Sequence, residues 1–348
     1  YEVTSEANIP GQVVTTLRGL EAASAAGRLR KYARRLVPIY LSLTVILTIC
    51  LTALGQAPMP AFIHAMSVMA TSGISPGDGL VGAPSGAMGE VVIFAFLFFA
   101  LSRRVYTSGF GAGLWSRLRS DREVRLALVT ITVLPTLLFL RHWIGAFEID
   151  DLANPAGALT ALWGGVFTVL SFLTTTGFVS DSWAAAQSWS GLPTPGLLLM
   201  GLAVMGGGVA TTAGGVKLLR VYSLYKHGSR EIGKLLHPHS VAGAGRLGRR
   251  IRREGAYIAW VFFMLFILSL AAVMVGLSAT GLDFETALIL GVSALSTTGP
   301  LAGVAAADPI SFGALSDPAK MILAVAMIVG RIETLVLIAL LNPSFWRA

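Results

Sequence analysis

Long apolar runs alternate with short ones along this chain, and each short run ends in a threonine- and serine-rich string that contains a glycine. A helix needs roughly 20 apolar residues to cross a bilayer core about 30 Å thick. The runs at 36–55, 258–277 and 321–341 meet that requirement, whereas those at 91–101 and 126–140 need help from their flanks. The pattern therefore predicts a membrane protein with several spanning helices.

The short runs end in three strings of one shape, SVMATSG at 67–73, SFLTTTG at 171–177 and SALSTTG at 293–299. Runs of about 10 to 15 residues cannot cross the bilayer as helices, so they must enter and return. Non-helical backbone at membrane depth is tolerated only where protein buries it or where it lines a water-filled path. We therefore predict re-entrant helices followed by extended segments that face a shared axis. Positive φ at Gly73, Gly177 and Gly299 would help to turn neighbouring carbonyl groups towards that axis.

Aligning the chain on these strings reveals an internal repeat in which a spanning helix, a re-entrant run, the glycine string and a second spanning helix follow one another. The expected fold is an all-α polytopic membrane protein with three repeats of spanning helix, pore loop and spanning helix around a pseudo-symmetric central pore. The predicted units are a cytoplasmic linker at 1–35 and pore repeats at 36–120, 121–255 and 256–348.

Composition and charge agree with this topology. The 348 residues are 54% hydrophobic with a mean hydropathy of +0.73, and only 13% are charged, against about 25% in soluble domains. Most Lys and Arg residues lie at 27–35, 103–125 and 217–253, next to apolar runs. This placement is typical of cytoplasmic loops and not of a nucleic-acid surface. The opposite loops are acidic, with Glu90, Asp181, Asp283 and Glu285 among their residues; such acids either concentrate cations at a pore mouth or are ordinary solvated loop residues.

Five strings together resemble the Trk/Ktr/HKT superfamily of cation transporters, specifically its TrkH type, and the resemblance covers nearly the whole chain. They are TTTGF at 174–178, GGGVATTAGGVKLLR at 206–220, LLHPHSV at 235–241, STTGP at 296–300 and GRIETLVLIALLNPSFWR at 330–347. The family has four repeats and three are found here, so the family's first repeat is expected to be missing, and the three repeats of this chain correspond to the family's second, third and fourth. The chain also begins at Tyr1 with a segment too polar for a signal peptide, and we expect that something upstream has been removed.

The resemblance implies potassium uptake through a multi-pass protein of the bacterial inner membrane. It implies no cofactor, with K⁺ as the only metal ion bound, in transit. The implied partners are membrane lipid, a second copy of the chain in a homodimer, and a cytosolic ring of nucleotide-binding TrkA-type regulator subunits on the basic loops. No nucleic-acid partner is expected.

The resemblance also assigns site residues. The backbone oxygens that line the ion path are expected at and before each glycine of the three strings: Thr71, Ser72, Gly73, Thr175, Thr176, Gly177, Thr297, Thr298 and Gly299. Glycine costs about 1 kcal/mol relative to alanine within a helix, so the string at 206–217 should interrupt its helix. The family implies a gate loop there, held by an arginine of the last span, while a simple kink between packed helices is the alternative. The gate residues are Gly206, Gly207, Gly208, Ala210, Thr211, Thr212, Gly214, Gly215, Lys217 and Arg331.

Other candidate chemistry is weaker. Arg331 and Glu333 are two residues apart, so they point to different sides of a helix and do not pair. The glycine string lacks the G-x-x-x-x-G-K-[ST] spacing of a phosphate-binding loop. The two histidines at 237–239 are interpreted as part of a loop and not as a metal site. Cys50 is interpreted as a buried small hydrophobe in an apolar run.

Three functions remain open from the sequence. The first is a potassium-translocating subunit, and the second is a sodium-permeable or sodium-coupled relative. The third is a non-conducting assembly subunit, which the missing repeat suggests. An enzyme is not predicted, because no nucleophile–base pair and no metal-binding cluster lies at membrane depth in the sequence.

Overall fold

A computed structural model describes residues 25–77, 79–102, 121–145, 155–192, 194–236, 246–306 and 308–332. In these ranges the chain forms twelve α-helices and two short 3-10 turns, with no β-strand. The predicted all-α fold class is therefore confirmed over the described part of the chain.

The predicted repeat at 36–120, the first of this chain, contains α2 (Pro58–Ala70) and α3 (Gly86–Leu97), and a 3-10 turn at Phe98–Ala100 follows α3. Helix α1 (Ala25–Ala53) begins in the predicted linker at 1–35 and continues into this repeat. Proline at the start of α2 suits a helix N-terminus, where the missing N–H has no intrahelical partner to lose. With 13 residues, α2 has the length expected of a re-entrant helix.

The second repeat contains α4 (Arg122–Gly145), α5 (Pro155–Leu173), α6 (Trp183–Ser190), α7 (Pro195–Met205) and α8 (Leu218–Leu236). The re-entrant helix α5 has 19 residues, more than the roughly 10 to 15 predicted for the short runs. Proline and small residues before Leu159 extend the helix although they add little to the apolar pattern. The predicted interruption of the later span is confirmed, because α7 ends at Met205 and α8 begins at Leu218.

The third repeat contains α9 (Arg246–Ala279), α10 (Phe284–Ser296), α11 (Leu301–Val304) and α12 (Asp317–Ile332), with a 3-10 turn at Phe312–Ala314. Asp283 caps α10 by accepting a hydrogen bond from the Thr286 backbone N–H at 3.2 Å. The rest of the span predicted at 321–341 lies outside the described residues, as do Glu333 and the histidines at 237–239.

Within the described ranges, three helical segments are long and apolar enough to cross a membrane: Leu36–Ala53, Arg122–Arg141 and Gly255–Ala279. They lie in α1, α4 and α9, the first spanning helix of each repeat. Large side chains such as Leu41, Ile49 and Leu268 are exposed on their surfaces, as expected for helices that face lipid. Cys50 in α1 is half-buried, whereas the prediction was a buried side chain.

The core surrounds α5, the re-entrant helix of the second repeat. Phe167, Leu170, Phe172 and Leu173 are fully buried there, and they belong to one apolar cluster with residues of α1, α2, α3 and α7. A second cluster joins α10 to α12. In that cluster α12 passes so close to α10 that a Cβ atom on Gly330 would collide with the Leu295 carbonyl oxygen. Small residues of this kind allow helix backbones to approach closely in membranes.

Candidate functional site

The three re-entrant helices end in the same turn, although they are far apart in sequence. In each, the backbone N–H of the residue before the glycine of the string donates to a serine carbonyl five residues earlier, which is the Schellman pattern of helix termination. The three hydrogen bonds are equal in length at 2.9 Å: Ser72 to Ser67, Thr176 to Ser171, and Thr298 to Ser293.

A threonine occupies the left-handed position of each turn. Thr71, Thr175 and Thr297 have φ of 49°, 58° and 57°. This region normally favours glycine, and a β-branched residue there is unusual. Backbone strain of this kind tends to cluster at functional sites. Its repetition in three equivalent turns indicates that each chain leaves its helix in the same conformation.

The glycines that follow are not equivalent. Gly73 and Gly177 adopt positive φ of 67° and 82°, as predicted, but Gly299 does not, so the prediction for Gly299 is wrong. Pro300 comes next, and the Thr298 and Gly299 carbonyl groups accept hydrogen bonds from the backbone N–H groups of Leu301 and Ala302, at 3.1 and 3.3 Å. The third segment therefore turns directly into α11.

The three segments meet at one place. A Cβ atom on Gly73 would collide with the Thr176 carbonyl oxygen and would lie 2.7 Å from Pro300 Cδ. A Cβ atom on Gly177 would lie 2.9 Å from Thr298 Cγ2 and 3.1 Å from the same Pro300 atom. The turns of all three repeats thus surround a common point, and neither glycine has room for a side chain.

The serine hydroxyl groups six residues before each glycine have three different roles. Ser293 Oγ donates to the Thr298 carbonyl oxygen at 2.9 Å. Ser67 Oγ accepts from Ser72 Oγ at 3.2 Å. Ser171 Oγ is buried and finds no hydrogen-bond partner among the described residues. The backbone turn is therefore symmetric, while the side chains that support it are not.

The glycine-rich segment 206–217, which we call the glycine loop, lies between α7 and α8. Its two ends are joined by backbone hydrogen bonds from Val216 N to Val204 O and from Lys217 N to Met205 O, both 2.9 Å. A Cβ atom on Gly206 would collide with the Gly214 carbonyl oxygen. Close backbone packing therefore explains the glycines here, beyond their tendency to interrupt a helix.

The glycine loop touches the inner ends of the re-entrant helices. Its Gly214 N–H donates to Thr175 Oγ1 at 2.6 Å, and a Cβ atom on Gly214 would lie 2.9 Å from Thr297 Oγ1. Two of the three left-handed threonines thus contact one residue of the loop.

Arg331 of α12 binds the glycine loop from the other side. Its Nη1 donates to the Thr212 carbonyl oxygen at 2.7 Å, and its Nη2 donates to the Ala70 carbonyl oxygen at 2.6 Å. Ala70 is the last residue of α2, where the helix dipole favours a positive charge. One guanidinium group therefore connects the loop to the helix end of the first repeat.

Lys217 and Glu123 bind the loop nearer its ends. Lys217 is only 4% exposed, has a φ of 82°, and donates from Nζ to the Ala213 carbonyl oxygen. The buried Glu123 carboxylate accepts from the Val209 backbone N–H at 2.8 Å. Glu123 is not among the predicted site residues, although its position among the arginines at 119–125 is a signal visible in the sequence.

Two further polar residues, Glu90 and His64, support the segments on the side away from the glycine loop. Glu90, which was grouped with the acids of the outer loops, is in fact a buried residue of α3 that is 3% exposed. His64 of α2 is also not among the predicted site residues, and its ring nitrogens lie 3.1 Å from Gln56 Oε1 and 2.9 Å from Ser75 Oγ. His64 lines a cleft of about 310 Å³ beside the first segment. In the described part of the chain, no three His, Cys, Asp or Glu residues are grouped as metal ligands would be.

Comparison with known proteins gives one consistent result. The TrkH family, described as cation transport proteins, matches residues 124–346. The Trk system potassium uptake protein TrkH of Halomonas elongata is 32% identical over 333 residues, which are 94% of this chain and 65% of that protein. The protein of the same name from Salmonella typhimurium is 34% identical over 336 residues, 92% of this chain and 63% of that protein.

A solved structure agrees with the sequence comparisons. The crystal structure of the potassium transporter TrkH from Vibrio parahaemolyticus matches with a TM-score of 0.72 and 28% identity, covering 96% of this chain and 70% of that one. The chain spans about two thirds of the length of the curated relatives that it matches.

Proposed function

This chain belongs to the TrkH family of cation transport proteins, and from that membership we propose that it forms the ion-conducting part of a potassium uptake system in the bacterial inner membrane. The observation that carries the proposal is the meeting of the three helix-end turns around Gly73, Gly177 and Pro300, with the glycine loop directly against them. The names of the relatives, which are potassium uptake proteins, support K⁺ as the ion.

The proposed filter is made of backbone oxygens. An ion that leaves water for an apolar medium needs replacement ligands, because the uncompensated cost is tens of kcal/mol. Carbonyl groups in a ring can supply them. The proposed ligands are the carbonyl groups of Thr71, Ser72, Gly73, Thr175, Thr176, Gly177, Thr297, Thr298 and Gly299. We expect the third set to be the weakest, because Ser293 and the start of α11 already donate to the Thr298 and Gly299 oxygens.

The proposed gate is the glycine loop. It is held closed by hydrogen bonds from Arg331 to Thr212 and from Gly214 to Thr175. A guanidinium group at membrane depth also repels a cation that approaches from the cytoplasm. Opening requires the loop to leave these partners, so a signal that moves α8 or α12 could control it.

The proposed partners follow from the family. They are a second copy of the chain in a homodimer, surrounding lipid, and a nucleotide-binding TrkA-type ring on the basic cytoplasmic loops. No catalytic cofactor is required for passive conduction. A sodium-permeable pathway is the alternative within transport, and a non-conducting assembly subunit is the alternative outside it. The intrachain bonding of the Thr298 and Gly299 carbonyl groups is the observation that favours the latter.

The test is cation uptake by the full gene product in a bacterial strain that lacks its own potassium uptake systems. We expect growth on low K⁺ with the wild type and none with Gly177→Ala, because the added Cβ would strain a residue at φ 82° and crowd Thr298. The matched control is Gly303→Ala, since no atom lies within 4 Å of a Cβ at Gly303.

Three results would count against the proposal. Equal growth with Gly177→Ala would remove the filter assignment. Sodium uptake that exceeds potassium uptake would favour the sodium pathway. Normal membrane insertion without uptake of either ion would favour the assembly subunit.

A further inference from the structure

Glu90 is a buried acid in an apolar part of α3, and its environment calls for an explanation. It is 3% exposed. Burying a carboxylate is costly unless its oxygens find good hydrogen-bond donors. Nothing in the proposed filter or gate uses Glu90.

Both oxygens of Glu90 accept hydrogen bonds from the second repeat. Oε2 accepts from Trp163 Nε1 at 2.8 Å and from Ser180 Oγ at 2.7 Å, while Oε1 accepts from the Asp181 backbone N–H at 2.6 Å. Hydrogen bonds to an ionised acceptor are shorter and stronger than neutral ones. The set satisfies the carboxylate and fixes three groups relative to one another.

These three donors lie before and after the second filter segment in the chain. Trp163 belongs to α5, the helix that leads into the segment, and Ser180 and Asp181 follow Gly177 where the segment ends. The inner end of the segment is already fixed by the helix-end turn and by the bond between Thr175 and Gly214. Glu90 therefore holds the outer end.

The carboxylate that accepts these hydrogen bonds belongs to a neighbouring repeat. Glu90 lies in the first repeat, and the Gly82 backbone N–H of that repeat also donates to Asp181 Oδ1 at 3.0 Å. In the first segment, by contrast, His64 holds Ser75 from the re-entrant helix of its own repeat. Phe94 of α3 packs against Trp163 with ring centroids 5.5 Å apart, which keeps the indole in place.

We propose that Glu90 is a positioning residue that sets cation selectivity by holding the outer end of the second filter segment, residues 177–181, from the adjacent repeat. The proposal rests on the proposed function, because selectivity requires a filter. Discrimination between K⁺ and Na⁺ depends on how many carbonyl groups face the ion and how firmly they are held. A segment fixed only at its inner end would accommodate the smaller ion more easily. Glu90 itself does not bind the ion.

The first test compares K⁺ and Na⁺ permeability of the full gene product in proteoliposomes. Glu90→Gln keeps the shape of the side chain but removes the charge and turns an amide donor towards groups that are themselves donors. We expect the K⁺/Na⁺ ratio to fall by about threefold or more, given the strength of hydrogen bonds to charged acceptors. Ser180→Ala and Trp163→Phe each remove one donor and should give smaller decreases in the same direction.

The matched control is Glu285→Gln, which removes an exposed acid from the first turn of α10. A surface charge attracts both monovalent cations equally, so its loss should leave the ratio unchanged. An unchanged ratio in Glu90→Gln would overturn the inference while leaving the proposed function intact. If Glu90→Gln does not fold, an unchanged ratio in the Ser180→Ala, Trp163→Phe double variant would overturn it.

The second test needs no transport. An ion that binds the folded protein raises its thermal stability, so K⁺ should raise the melting temperature of the wild type more than Na⁺ does. We expect this difference to shrink in Glu90→Gln and to persist in Glu285→Gln. If the wild type transports no cation, the proposed function is refuted. If the difference between the K⁺ and Na⁺ effects on the melting temperature is the same in Glu90→Gln as in the wild type, the inference alone is refuted.

Discussion

At the scale of single residues, the conformations at the centre of the molecule follow the chain's repeat but depart from simple sequence rules. The threonine two positions before each glycine is easily recognised in the sequence, yet its left-handed conformation is not, because a β-branched residue is the least expected choice there. At Gly299 positive φ is expected from the sequence but is not adopted, since Pro300 and the start of α11 turn the chain without it. In both cases the local turn, and not the residue type alone, sets the backbone conformation.

Arg331 provides the prediction that belongs to this scale. Arg331→Ala removes both hydrogen bonds that connect the glycine loop to α2, so the closed loop should lose on the order of 2 kcal/mol. The open population and the basal cation leak should then rise by roughly tenfold or more. Rubidium efflux from proteoliposomes measures this leak.

Two companion variants make the Arg331 result specific. Arg331→Lys keeps the charge but lacks the two-pronged donor geometry, so its leak should be intermediate. Lys320→Ala removes an exposed cation from the same helix and should leave the leak unchanged. Wild-type leak in Arg331→Ala would contradict a gating role.

At the scale of helices, the lengths of the apolar runs predicted where most of the helices would lie, whereas the packing between them was not predictable. The interruption between α7 and α8 follows from the density of glycine, whereas the contact of the loop with Thr175 depends on residues 39 positions apart. Helix α5 is longer than the short apolar runs predicted, because it begins with a proline and small residues that add little to the apolar pattern. The sequence of α3 alone does not indicate that Glu90 is buried.

Close packing of α12 on α10 leads to a prediction about stability. Gly330→Ala places a methyl group against the Leu295 carbonyl oxygen and should destabilise the protein by about 1–3 kcal/mol. Gly201→Ala is the matched control, because Gly201 lies within α7 with no atom within 4 Å of its added Cβ. That control should be neutral or more stable by up to about 1 kcal/mol. Thermal unfolding in detergent measures both, and equal melting temperatures would refute the packing argument.

At the scale of the whole molecule, the distribution of charge predicts one orientation for all three repeats. Basic residues continue along α8, which the Arg220 guanidinium anchors to α9 by lying 3.6 Å from the centre of the Phe262 ring. Acidic residues stand at the starts of α10 and α12, where Asp283, Glu285 and Asp317 are found. The orientation stays a prediction, and it rests on loop composition alone and not on side-chain contacts.

The orientation can be tested by labelling with a thiol reagent that does not cross membranes. In a Cys50→Ser background, which removes the single native thiol, Ser311→Cys should react in intact spheroplasts. Ser229→Cys of α8 should react only after the membrane is permeabilised. Both positions are exposed, so accessibility of the side chain does not distinguish them. Labelling in the opposite order would invert the topology.

The hydrogen bond between Gly214 and Thr175 has a thermodynamic consequence for the molecule. Thr175 shapes the innermost turn of the second filter segment, so one side chain is shared by the elements proposed to select and to gate. Occupancy of the filter and opening of the loop are then linked equilibria, and linkage is reciprocal. An ion that prefers one arrangement of this turn must shift the open fraction, and a regulator that opens the loop must change ion affinity by the same factor.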